Sequence, residues 1–117
     1  MKLITLLAVA AAALALAASA SPLVPPRLVG TVGPGFTISL TKLGKRVTTL
    51  RAGRYTIVVH DKAAIHNFVL EGPGVERDIT TPAFVGTKTV TVLLRKGKYK
   101  FYCRPHESSM FGFVRVT

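Results

Sequence analysis

Apolar and polar side chains alternate in short runs through most of the chain. Phe36, Ile38 and Leu40 alternate with Thr37, Ser39 and Thr41, and Tyr55, Ile57 and Val59 with Thr56 and Val58. Val90, Val92 and Leu94 alternate with Thr89, Thr91 and Leu93. Tyr99, Phe101 and Cys103 alternate with Lys98, Lys100 and Tyr102, and Val114 and Val116 with Phe113, Arg115 and Thr117. A period of two, rich in β-branched and aromatic residues, predicts half-buried strands. Gly33-Pro34-Gly35, Ala52-Gly53, Gly72-Pro73-Gly74 and Lys96-Gly97 punctuate the runs as turns, the last of them a hairpin. No helical pattern of useful length follows the first twenty residues. Short strands separated by such turns predict an all-β sandwich or barrel.

The start of the chain reads differently. Met1-Lys2 is followed by an apolar run from Leu3 to Ala18 and then by Ala18-Ser19-Ala20. A basic start, an apolar middle and a small-x-small site predict a secretory signal peptide over residues 1–20, cleaved after Ala20. No cysteine stands near that site, which argues against a lipid-anchored mature end. A Pro-rich leader over 21–27 then enters a single domain over 28–117, in the periplasm or outside the cell. A chain of this size buries roughly 60–65% of its unfolded surface, enough for one modest core.

Charge and cysteine content narrow the chemistry. Lys and Arg number 16 against 5 acids, for a net charge of +11. Such a surface favours an acidic partner protein, anionic lipid headgroups or nucleic acid, and is silent on fold. Cys103 is the only cysteine, so it cannot form an internal disulfide, and an exported protein that keeps it has a dedicated chemical use for it or an intermolecular partner.

Strand parity shows where that thiol points. Residues two apart share a face, so Cys103 continues the apolar face of Tyr99 and Phe101. Met110 shares parity with Val114 and Val116, and His66 with Phe68 and Leu70. His106 sits in the loop between Cys103 and Met110. His60 has the opposite parity to Tyr55, Ile57 and Val59, reads as a surface histidine and is assigned no metal. A thiolate, two imidazoles and a thioether match a blue-copper site, two His and a Cys in a plane with a weak axial Met. The thiolate suits Cu(I) and bonds Cu(II) covalently, the imidazoles suit both states, and the thioether binds weakly enough to let the charge change.

The motifs "HNF" at His66–Phe68, "CRPHESSM" at Cys103–Met110 and the closing "GFVRV" resemble the cupredoxins, the small blue copper proteins of the plastocyanin and amicyanin type. "RAGRYTIVV" and "VTVLLRKGKYKFYC" resemble strands of the same family, so the resemblance spans roughly Leu28 to Thr117. It implies a Greek-key sandwich or barrel of about seven or eight strands, one type 1 copper ion, and His66, Cys103, His106 and Met110 as its ligands. It further implies that Asn67 supports the ligand loop by hydrogen bonding, that Pro105 stiffens it, and that His106 is the exposed ligand through which electrons pass. The interval from His106 to Met110 is three residues, between the plastocyanin-like four and the amicyanin-like two, so neither subtype's redox partner carries over.

The implied function is single-electron transfer by Cu(II)/Cu(I) cycling, without catalysis, by a monomer steered towards an acidic redox partner. The alternative is a copper carrier or buffer with the same ligands. A Cys–His hydrolase is disfavoured by the inward parity of Cys103, because a nucleophilic thiolate must reach substrate. Nucleic-acid binding is disfavoured by export, and although Tyr99, Phe101 and Tyr102 sit among lysines, the chain lacks the longer basic stripe with interleaved aromatics of strand-stacking folds. Loose association with a membrane surface through basic charge is compatible with either copper reading.

Overall fold

A computed structural model of the chain describes residues 23–117. The expected signal peptide, and the first two residues of the expected leader, lie outside the described residues. Ten strands follow: β1 (Arg27–Val32), β2 (Ile38–Lys42), β3 (Lys45–Arg46), β4 (Thr49–Leu50), β5 (Gly53–Asp61), β6 (Val69–Gly72), β7 (Val75–Asp78), β8 (Gly86–Leu94), β9 (Gly97–Tyr102) and β10 (Phe111–Val116). One short 3-10 turn, Arg104–His106, joins β9 to β10.

The strands form two sheets of five, ordered β3-β2-β1-β5-β8 and β4-β10-β9-β6-β7. The architecture is a sandwich rather than a closed barrel, and it has ten strands where seven or eight are expected. The excess comes from β3 and β4, two residues each and too short to show a period, and from β7, which pairs with β6 across the Gly72-Pro73-Gly74 turn. Most neighbours are antiparallel, but β1 runs parallel to β5 and β4 parallel to β10.

The alternation read from sequence lines the space between the sheets. Leu28, Val32, Leu40, Ile57, Val59, Val90, Val92 and Leu94 come from one sheet, and Leu70, Tyr99, Phe101, Val114 and Val116 from the other, all in one buried cluster. Each such side chain, fully buried, contributes on the order of 1.5–3 kcal/mol relative to exposure. Every buried hydrophobic residue among those described lies between Leu28 and Val116.

Two positions depart from the alternation. Phe36 is not on a strand: β2 begins at Ile38, and Phe36 belongs to the turn closed by the Gly33 N–H donating to the Thr37 carbonyl at 2.9 Å. Tyr102, grouped with the outward Lys98 and Lys100, is buried. It sits on the outer face between its partners Val69 and Phe111, with Lys100 and Arg104 over its ring.

Strand direction sorts the connections into two ends. β1, β5 and β9 all run towards the end that carries Gly33, Asp61 and Cys103, and β10 runs back from it. The opposite end carries the β2–β3 hairpin tip, the start of β5 and Thr117. Nine residues of β5 at about 3.3 Å each separate the two ends by roughly 30 Å.

Candidate metal centre

His66 reaches the first end through a structured loop. Asp61 closes β5, and its buried carboxylate Oδ1 accepts from the Ala63 N–H at 3.3 Å. The His66 N–H then donates to the Ala63 carbonyl at 3.3 Å, and the imidazole turns inward with no exposure. Gly33 leaves room for it. Its φ is +73°, a conformation that favours glycine, and a side-chain carbon there would lie 3.1 Å from His66 Cδ2 and 3.2 Å from Ala63 Cβ.

Cys103 follows β9 directly and is fully buried. The loop after it is closed on itself. The Cys103 N–H donates to the Met110 carbonyl at 3.0 Å, so β9 and β10 are still joined where the loop leaves them. Inside the loop, the His106 N–H donates to the Cys103 carbonyl at 3.1 Å, and the Met110 N–H to the His106 carbonyl at 2.9 Å. Pro105 stands in the first turn of the 3-10 segment, where a missing N–H leaves no bond unmade. This winding brings His106, half-buried, back over Cys103.

Three donor atoms converge. The Nδ1 atoms of His66 and His106 are 3.1 Å apart, and the Cys103 Sγ is 3.7 Å from the first and 3.6 Å from the second. These three are the one group of three or more His, Cys, Asp or Glu side chains among the described residues close enough to share a metal ion. Metal bonds of about 2.0 Å to imidazole and 2.3 Å to thiolate leave spacings of this size. The donor set and its burial therefore fit a soft or borderline metal ion of copper's type. Met110, at the foot of the same loop, is buried and keeps the inward parity of Val114 and Val116. His60 is apart from the cluster and bonds Thr87 Oγ1 at 3.0 Å.

Asn67 ties the two loops together. It is fully buried. Its Oδ1 accepts from the Arg104 N–H at 2.8 Å, and its Nδ2 donates to Asp78 Oδ2 at 3.3 Å. Asp78 in turn takes the Arg104 guanidinium through both carboxylate oxygens. That hydrogen bonding holds the guanidinium even more firmly protonated than usual.

Sequence reasoning missed three participants. Arg104 and Asp78 pair across 26 positions, and nothing local marks either. Phe36 stands edge-on to both imidazoles, with ring centroids 5.2 Å from His66 and 4.9 Å from His106. The alternation hid it, because Phe36 continues the parity of Ile38 and Leu40.

Residues 37–117 match the family of copper-binding proteins that includes plastocyanin and azurin. No curated protein sequence matches the chain. Among solved structures, rusticyanin, a copper protein, superposes with a TM-score of 0.57 at 18% identity, over 78% of this chain and 76% of its own. Auracyanin A, a "blue" copper protein from the green thermophilic photosynthetic bacterium Chloroflexus aurantiacus, gives 0.53 at 21% identity, over 80% of this chain and all of its own. At these identities the structures speak for the fold, and the matched sequence family, together with the three convergent donors, for the metal. By that match this chain belongs to the plastocyanin/azurin family of copper-binding proteins.

Proposed function

We propose that the protein is an exported type 1 copper protein that carries single electrons between redox partners and performs no catalysis. The observation that carries this reading is the convergence of one thiol and two imidazole Nδ1 atoms from two loops in a buried pocket. His66, Cys103 and His106 would hold the copper, and the buried Met110 would add a weakly binding thioether. Copper bound there supplies a one-electron Cu(II)/Cu(I) couple. The protein's part is to keep the donors still while the charge changes. The loop bonds of Cys103, His106 and Met110, and the clamp of Asn67 on Arg104, resist rearrangement. His106, half-buried beside Phe36, is the ligand nearest solvent and the route for electrons.

A single site with fixed donors favours cycling over storage, and so ranks electron transfer above copper carriage. The signal-peptide pattern of residues 1–20 supports periplasmic or extracellular residence, and no helix among the described residues is long and apolar enough to cross a membrane. The net charge supports steering towards an acidic redox partner, since complementary charge mainly raises association rates.

Titrating Cu(II) into the purified protein tests the proposal. An intense visible thiolate-to-copper absorption, reversibly bleached by reductant and abolished by Cys103→Ser, is the expected result. A folded, copper-loaded protein without that band would exclude it.

A further inference from the structure

The end of the sandwich opposite the metal centre carries a second, unrelated feature. A cavity of about 960 Å³ opens there between the entering chain at Leu23–Pro26, the β3–β5 segments and Thr117. Its lining includes Lys42, Lys45, Arg46, Arg51 and Arg54, all exposed, and no Asp or Glu. None of these five is in an ion pair among the described residues. Both ion pairs that the described residues form, Lys100–Glu107 and Arg104–Asp78, involve the loop that follows Cys103.

Aliphatic side chains stand among those cations. Leu23 and Val24, at the cavity mouth, are 95% and 87% exposed, and Leu43, at the tip of the β2–β3 hairpin between Lys42 and Lys45, is 94% exposed. Single exposed leucines are ordinary, but Leu43 also occupies a left-handed backbone position, φ +50°. Gly or Asn would sit there with less strain, and water gains nothing from a leucine.

We propose that this end binds the surface of an anionic phospholipid bilayer, with Lys42, Lys45, Arg46, Arg51 and Arg54 on the headgroups and Leu43, Leu23 and Val24 in the interface. Cations alone would suit any polyanion. The aliphatic side chains beside them select a surface that is negative outside and apolar beneath. The described residues begin at this end, where Leu23 and Val24 line the cavity. The copper end, roughly 30 Å away along β5, then faces outwards to soluble partners.

The test uses the copper-loaded chain from Ser21 onwards and sedimentation with two kinds of vesicle, one of equal parts phosphatidylglycerol and phosphatidylcholine, the other phosphatidylcholine alone. Binding is expected to the first only, and to weaken steeply with salt. Arg51→Glu with Arg54→Glu should reduce it about 25-fold or more, since each basic side chain near an anionic bilayer contributes about fivefold. Lys45→Glu alone stands in if that pair fails to fold. Arg77→Glu with Lys88→Glu makes the same change in net charge elsewhere and should weaken binding far less. Leu43→Asn, charge-neutral and at ease at positive φ, should cost roughly tenfold in affinity with no loss of thermal stability. Equal loss from the two charge-reversed pairs, no effect of Leu43→Asn, or equal binding to neutral vesicles would each overturn the proposal. The copper band, recorded on every variant, reports on the metal centre separately, and zinc-loaded protein should bind vesicles equally well.

Discussion

The side chain of Asn67 accepts a hydrogen bond from the backbone N–H of Arg104 at 2.8 Å, so the residue after one imidazole is fastened to the residue after the thiol. The two metal-binding segments are thereby joined directly, by a hydrogen bond between protein atoms. Asn67→Ala leaves the Arg104 N–H without that acceptor and Asp78 without one of its donors. Copper affinity should fall 10- to 100-fold, the usual effect of losing a group that orients a ligand. Stability should drop by about 1–3 kcal/mol, as expected when a buried polar group loses its partner. Chelator competition and urea unfolding of the metal-free chain measure the two effects separately.

Met110→Leu keeps volume and burial but removes the thioether. The thiolate-to-copper band should persist, because His66, Cys103 and His106 remain, while the reduction potential measured by voltammetry shifts. Complete loss of copper binding would contradict the proposal that Met110 is a weak ligand.

Phe36→Ala strips the ring that stands edge-on to both imidazoles. Phe36 packs edge-on against two rings but is largely exposed, so the loss of stability should be about 1–2 kcal/mol, less than two fully buried aromatic pairs would cost. The rate of copper release to an excess of chelator should rise clearly, because the ring shields His106 from water. Stopped-flow release measured against wild type decides it.

Gly112 shares the inward parity of Met110 and Val114, and its missing side chain is where the Phe101 ring lies. A Cβ there would overlap the ring. Gly112→Ala should destabilise by about 1–3 kcal/mol through overpacking. For a domain of this size each kcal/mol lowers the melting temperature by roughly 4–8 °C, readable by calorimetry.

Much of the fold and site was legible because both rest on a period of two. The alternation of β5, β8, β9 and β10 placed Ile57, Val92, Phe101 and Val114 inwards, and the same parity placed Cys103 and Met110 at one end of one face. What escaped depends on contacts between distant segments. Phe36 keeps strand parity, yet a turn that begins three residues earlier carries it over His66. Tyr102 has the parity of lysines, yet Val69, Lys100 and Arg104 bury it from outside. The partnership of Arg104 with Asp78 follows from β7 lying beside β6, and the four residues of β7 give no periodic sign of where they will pack.

His66 and Cys103 lie 37 positions apart and meet at a single point. An ion bound between them acts as a reversible crosslink that closes a long segment of chain. Because the unfolded chain does not preform that meeting point, binding energy becomes folding energy. Thermal unfolding then serves as a gauge of occupancy: the midpoint climbs with free copper, and the difference between loaded and stripped protein returns the affinity without any optical signal from the metal.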